Sequence, residues 1–154
     1  MSLGLIRTAC AVAAFGAALA VAACASAGPA APKPPPPRVI DVRNPPPPAW
    51  IETGRGDYWL AFHDFCWFTA CADYKPPGER KDLPRIAVKR GETVRFHLRF
   101  TPTRIRLEVG ALTFRLKPQR VASWRVRGGG IAILEVSAPL PFGRASYAAR
   151  FRVG

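Results

Sequence analysis

The sequence predicts an antiparallel β-sandwich after residue 50, and three observations support this fold class. Apolar and polar residues alternate in several segments, as they do in strands with one buried and one solvated face. Turn signals containing Gly or Pro separate these segments at intervals of about eight to twelve residues. No long stretch shows a helical period. Together these features predict an all-β domain of about seven to nine short strands.

Four segments carry the clearest alternation, with Arg, Lys, His or Glu between the apolar positions. Those positions are Val94, Phe96, Leu98 and Phe100; Ile105, Leu107 and Val109; Phe114 and Leu116; and Trp124 and Val126. Two closing strands are expected at 131–137 and 145–153, on either side of a Pro/Gly loop at 139–143.

Pro102 constrains the connection between two of these strands. In a tight hairpin closed by Phe100 and Thr103, Pro102 would occupy the second central turn position, where trans proline is disfavoured. A crossing from one sheet to the other avoids this conflict, and we therefore predict a crossing.

The closing strands, together with a strand that starts at 90–94, resemble immunoglobulin-like domains of bacterial secreted proteins. Cys66-Trp67 and Cys71-Ala72-Asp73 further resemble an uncharacterised family in which Gly-Ser-Tyr-Cys-Trp and then Cys-x-Asp precede such a domain. The sequence departs from that pattern, because Gly56-Asp57-Tyr58-Trp59 stands seven residues before Cys66-Trp67. The resemblance implies an immunoglobulin-like sandwich over 50–154 and brings no known activity.

The first 23 residues follow the plan of a bacterial signal peptide. A short region carrying Arg7 precedes an uncharged run from Thr8 to Ala23, which is too short and Ala-rich to favour a spanning helix. Val21-Ala22-Ala23-Cys24 resembles the lipobox of bacterial lipoproteins. The resemblance implies cleavage before Cys24 and acylation of this cysteine, which would place the protein on the extracytoplasmic side of the cell membrane, or on the outer membrane if there is one.

Two alternatives to lipidation stay open. Ala25-Ser26-Ala27 also satisfies the rule for ordinary signal cleavage before Gly28, which would release a secreted protein. Alternatively, the apolar run would remain as an uncleaved anchor with Cys24 as one of its small residues.

Residues 24–49 are predicted to form a proline-rich tether. Ten prolines fall between residues 28 and 49, and such segments favour the stiff, extended polyproline II conformation. We interpret the segment as a spacer, with a ligand for a proline-binding domain as the alternative. Residues 38–42 are also compatible with a short strand added to the domain edge.

Residues 57–74 contain seven aromatic residues and two of the four cysteines. Cys66 and Cys71 predict a disulfide if the domain lies outside the cytoplasm. Phe62, Phe65 and Phe68 are expected in the core. Two hypotheses apply to Tyr58, Trp59 and Trp67: packing around the disulfide, or a stacking platform for a sugar or peptide.

The sequence indicates neither a metal site, nor a cofactor, nor a catalytic centre. His63, Asp64, Cys66 and Cys71 lack the spacing of structural zinc ligands, and no hydrolase motif occurs. His63 and Asp64 are neighbours in sequence, and regular strand geometry would direct them to opposite faces. The protein is therefore expected not to be an enzyme.

The domain carries 19 Lys and Arg against nine Asp and Glu, a formal charge of +10 over 50–154. Arg95, Arg99, Arg104 and Arg106 occupy the polar positions of predicted strands and are the candidate contact residues. Anionic envelope polymers, anionic lipids and acidic proteins are the expected partners, whereas nucleic acid is not expected. The alternatives are a merely solvated basic surface, and an accessory subunit or enzyme whose site a partner completes.

Overall fold

The structure, a computed structural model, describes residues 44–154. The signal peptide, the lipobox with Cys24, most of the tether and the segment 38–42 lie outside the described residues.

The described part of the chain forms eleven strands and contains no helix, so the predicted β-sandwich is confirmed. The strands are β1 (Trp50–Thr53), β2 (Gly56–Trp59), β3 (Ala61–Trp67), β4 (Ala70–Ala72), β5 (Arg85–Val88), β6 (Thr93–His97), β7 (Arg104–Val109), β8 (Leu112–Leu116), β9 (Val121–Arg125), β10 (Gly130–Ser137) and β11 (Gly143–Val153). Their number exceeds the prediction because the aromatic stretch itself supplies three short strands, β2 to β4.

The strands divide between two sheets. The smaller sheet has the order β2-β1-β6-β9, and the larger has the order β4-β3-β11-β10-β7-β8. Strand β11 also pairs with β5 in the one parallel ladder of the described residues. Strands β6 and β7 lie in different sheets, which confirms the crossing predicted from Pro102.

The core lies between the sheets and is built from the alternating apolar positions. Val94, Phe96 and Leu98 of the β6 segment and Ile105, Leu107 and Val109 of β7 are all buried. The closing strands, expected at 131–137 and 145–153, contribute Leu134, Val136, Tyr147 and Phe151. Alternation therefore identifies which face of each strand packs inward.

The last residues of the proline-rich segment lie against the domain. Pro46 and Ala49 are buried, and the Ala49 carbonyl accepts a hydrogen bond of 3.0 Å from the amide of Leu60. The hydroxyl of Tyr147, on β11, donates to the Pro47 carbonyl over 2.6 Å. The second proline block thus has partners in the folded domain.

Candidate functional site

Three surfaces bring together the chemically distinctive side chains of the described residues. The first is an arginine cleft, formed by Arg104, Arg106 and Arg115 on the outer face of β7 and β8. The second is the aromatic end, where Phe68, Leu140 and Phe142 are exposed. The third is the outer face of the smaller sheet, which carries Trp50, Glu52, Arg95 and His97.

The arginine cleft follows directly from the register of β7 against β8. Arg106 is the cross-strand partner of Arg115, and Arg104 lies two residues before Arg106 on the same face. The cleft has a volume of about 520 Å³, and Thr103 and Thr113 also line it. Three guanidinium groups and Thr113 therefore line one concave surface, while the Thr103 hydroxyl donates to the Ser137 carbonyl.

Nearby carboxylates neutralise this cleft only in part. Arg104 Nη2 lies 3.6 Å from Glu135 Oε1, and Arg106 pairs with Glu108 on its own strand. Among residues 44–154, no carboxylate lies within ion-pair distance of Arg115. Like charges that face each other across strands destabilise a sheet modestly, so a bound anion would relieve a repulsion built into this ladder.

The four arginines named from the sequence do not form one surface. Arg104 and Arg106 lie together in the arginine cleft, whereas Arg95 lies on the smaller sheet and Arg99 lines a cleft at the aromatic end. Sequence analysis missed Arg115 as their companion. The two-residue connection Gly110-Ala111 between β7 and β8 was the available signal, since it fixes the register that places Arg115 opposite Arg106.

On the smaller sheet, the Glu52 carboxylate contacts both Arg95 and His97. Its Oε1 lies 2.6 Å from Arg95 Nη1 and its Oε2 lies 2.9 Å from His97 Nε2. The hydrogen bond with His97, supported by Arg95, lowers the pKa of Glu52 against the opposing effect of burial. The His97 ring stacks on Trp50 at 4.8 Å. Because its guanidinium is already engaged by Glu52, Arg95 is less suited to an external anion than Arg115.

The cysteine prediction is confirmed, since Cys66 and Cys71 form a disulfide that joins β3 to β4. The aromatic side chains divide differently from expectation. Phe62 and Phe65 are buried as predicted, but Phe68 is 48% exposed, and its assignment to the core is wrong. The disulfide-closed hairpin places Phe68 at its tip with a φ of 53°.

Tyr58, Trp59 and Trp67 do not come together as a stacking platform. Trp67 is only 4% exposed and packs against Phe100 and Phe142. Tyr58 packs against the core, while Trp59, the next residue on β2, makes an edge contact with Trp50 on the outer face of the smaller sheet.

The expectation that His63 and Asp64 point to opposite faces is wrong, because a β-bulge interrupts the regular strand geometry between them. Phe65 pairs with Ala145 and Phe62 with Tyr147, so His63 and Asp64 together face the single residue Ser146. His63 Nε2 consequently lies 3.2 Å from Asp64 Oδ2. The Ser146 hydroxyl accepts from the Asp64 amide over 2.9 Å and donates to the Asp64 carbonyl over 2.8 Å. Ser146 is thus committed to the bulged backbone.

A buried arginine fixes the loop between β4 and β5. Arg80 is 7% exposed, donates to the Phe62 carbonyl, and pairs with Asp82 at 2.5 Å. Arg150 Nη2 donates to the carbonyls of Pro77, Gly78 and Arg80 over 3.0 to 3.2 Å. These two arginines also line a cleft of about 640 Å³, but their donors serve the protein's own loop.

No protein-family model, no curated protein and no solved structure matches this chain. Between residues 44 and 154, no helix is long and apolar enough to span a bilayer. The same residues contain no group of three or more His, Cys, Asp and Glu side chains that would hold a metal ion.

Proposed function

We propose that this protein is an extracytoplasmic lipoprotein, anchored through Cys24, whose β-sandwich binds anionic polymers of the cell envelope. The observation that carries the binding role is the cross-strand pair Arg106–Arg115, which lies in a cleft together with Arg104. We assign the protein no catalytic role.

The chemistry of the arginine cleft fits phosphate or carboxylate groups. Guanidinium groups present paired donors that match both anions in a bidentate geometry. Thr113 adds a hydroxyl donor beside them, whereas the Thr103 hydroxyl donates to the Ser137 carbonyl. A polymer with repeated negative charges would also reach other cations of the domain, which has a formal charge of +10. Specific recognition in the cleft would then be reinforced by long-range attraction.

Two features support the proposed location. The Val21-Ala22-Ala23-Cys24 sequence has the residue types of a lipobox, and two or more acyl chains would hold the protein stably on a bilayer. The Cys66–Cys71 disulfide suits an oxidising compartment outside the cytoplasm. The proline-rich segment between anchor and domain would serve as a stiff spacer.

Retention of the full mature protein on immobilised polyphosphate and on immobilised polyglutamate tests the binding role. We expect retention that falls steeply with added salt, since salt screens charge interactions over about 8–10 Å. Replacing Arg106 and Arg115 by alanine removes two charge-assisted contacts and should weaken binding by about tenfold or more.

The matched control replaces Arg55 and Lys75 by alanine, which changes the net charge equally. Both side chains are exposed; Arg55 lies in the β1–β2 turn, and Lys75 follows β4 at the opposite edge of the larger sheet from β8. Equal losses in the two double variants would show that net charge alone drives binding. Retention that does not change with salt would contradict binding to polyanions altogether.

Mass spectrometry of the mature N-terminus tests the anchor separately. We expect an acylated Cys24 as the first residue. An unmodified Gly28 at the start would instead indicate a secreted protein, and an intact Met1 would indicate that the apolar run is retained.

A further inference from the structure

The aromatic end of the domain exposes three large apolar side chains on two loops that touch. Phe68 is 48% exposed, Phe142 is 37% exposed and Leu140 is 92% exposed. Phe68 lies at the tip of the disulfide hairpin, and the other two lie in the loop between β10 and β11. Soluble monomeric proteins scatter such residues singly, so adjacent ones indicate an interaction surface.

The exposure of these residues is fixed by the fold. The Phe68 amide donates to the Phe142 carbonyl over 2.7 Å, and the two rings meet edge to face with centroids 4.8 Å apart. At Gly143, a Cβ atom would lie 2.3 Å from the Cys66 carbonyl oxygen, so the loop approaches the disulfide hairpin as closely as glycine allows. Phe68 holds a φ of 53°, which is unfavourable for a bulky residue. The hairpin maintains this conformation with the ring turned towards solvent.

Phe68 and Phe142 also line a cleft that is mostly apolar and carries only positive charge. Its volume is about 760 Å³, and Trp67 and Phe100 complete its aromatic lining. Arg99 and Arg120 are exposed at its edge, and no Asp or Glu lines it. An occupant with both apolar and anionic groups would satisfy these two features together.

We propose that the aromatic end docks onto the surface of an anionic phospholipid bilayer. Phe68, Leu140 and Phe142 enter the interface between headgroups and acyl chains, and Arg99 and Arg120 bind lipid phosphates. A bilayer fits better than a peptide, because Leu140 projects almost completely into solvent, where a planar apolar phase would cover it.

The position of the chain entry agrees with this orientation. Asn44 and Pro45, the first described residues, line the same cleft as the two arginines. The tether, which begins at Cys24 in the proposed mature protein, therefore joins the domain at the end that would face the lipid. The docking proposal does not involve the arginine cleft. It rests on the proposed function only through the lipid anchor, which would bring the domain to a membrane.

Tryptophan fluorescence in vesicles with brominated lipids tests the docking. The probe is Leu140→Trp in the mature protein, measured against the same protein without the substitution. Vesicles consist of phosphatidylcholine alone or of phosphatidylcholine with phosphatidylglycerol. We expect the added Trp emission to be quenched, and more strongly with the anionic lipid. The matched control is Leu112→Trp, because Leu112 is 47% exposed at the other end of the larger sheet and should show no quenching.

Two further variants separate the apolar and the charged contributions. In a Leu140→Trp background, Phe68→Ser should lower the ratio of docked to undocked domain, read from quenching at position 140, by about tenfold, as expected for one buried aromatic side chain. Arg99→Ala and Arg120→Ala should each lower the same ratio on anionic vesicles by about fivefold. Circular dichroism of every variant confirms that the fold is retained.

Several results would overturn the docking proposal. They are an unquenched Trp at position 140, equal quenching at positions 140 and 112, and equal quenching at position 140 in neutral and anionic vesicles. None of them depends on the arginine cleft or on the identity of the mature N-terminus. Failure of the docking is therefore distinguishable from failure of the proposed function.

Discussion

The hydroxyl of Tyr147 donates a hydrogen bond of 2.6 Å to the carbonyl oxygen of Pro47. Tyr147 lies on β11 with its ring in the core, in contact with Phe62. A single hydrogen bond thus joins the proline-rich segment to a central strand of the larger sheet.

Replacement of Tyr147 by phenylalanine should destabilise the domain by about 1 kcal/mol, since it removes one hydrogen bond and keeps the ring. Urea unfolding measures this change. Tyr74→Phe is a suitable comparison, because it makes the same chemical change at a partly buried tyrosine for which no hydroxyl hydrogen bond is found within 44–154. An equally stable Tyr147→Phe variant would show that the contact with Pro47 contributes nothing to folding.

The buried phenol of Tyr147 should also make the domain less stable at alkaline pH. Burial raises the pKa of this phenol above its usual value of 10.0. The unfolded chain therefore releases this proton near pH 10, while the folded chain keeps it. The resulting stability is complete below about pH 10 and is lost as the pH rises further. Unfolding midpoints measured from about pH 8 to 11 should fall less steeply in Tyr147→Phe than in the unsubstituted protein.

Glu52 should make the stability of the domain depend on pH with the opposite sign in the acid range, so that stability falls as the pH falls. Its hydrogen bonds with His97 and Arg95 lower the pKa of its carboxyl below the usual 4.5. The folded chain therefore stays ionised when the unfolded chain takes up a proton. The stabilisation is present above about pH 4.5 and is lost as the pH falls through the lowered folded-state value. Urea midpoints between about pH 3 and 6 should depend less on pH in Glu52→Gln. Identical slopes would contradict this contribution.

Ser146 should be needed for the stability of the bulge in β3. Its hydroxyl bonds both the amide and the carbonyl of Asp64. Ser146→Ala leaves both backbone groups without this partner and should cost about 2 kcal/mol or more. Ser123→Ala, at an exposed position of β9, should cost less than about 0.5 kcal/mol. Comparable costs for the two variants would exclude a special role for Ser146.

Removal of the disulfide should have both a global and a local effect. Replacing Cys66 and Cys71 by serine should destabilise the domain by about 2 kcal/mol in the chain-entropy model. The local effect is loss of the fixed hairpin tip, which would release Phe68 from the Phe142 carbonyl. Amide hydrogen exchange at Phe68 should increase more than exchange in β7. Unchanged protection at Phe68 would show that the loop between β10 and β11 holds the tip without the disulfide.

Local patterns in the sequence predict the sandwich well. Alternation at Val94, Phe96 and Leu98 identifies the buried face correctly, because a strand at the surface of a core has only one buried side. Pro102 predicts the crossing between sheets, since its backbone restriction acts at the turn itself. Cys66 and Cys71 predict their disulfide from residue type and separation.

The features that sequence analysis missed depend on distant partners. His63 and Asp64 share a face because Ser146, 82 residues after Asp64, supports a bulge that no local pattern reveals. Phe68 is exposed although its apolar ring favours the core, because the hairpin places it at a tip. Of the candidate cations, only Arg104 and Arg106 share a cleft, and their companion Arg115 is identified by strand register.

The arrangement of the larger sheet determines when this domain completes its fold. Strand β11 pairs with β10, with β3 through its first half and with β5 through its second half. All three partners precede it in the chain, by up to about 80 residues in the case of β3. A nascent or truncated chain that lacks β11 would leave three strands with open backbone edges, which are prone to intermolecular pairing. Loss of the last strand would therefore promote aggregation of the whole domain instead of local fraying.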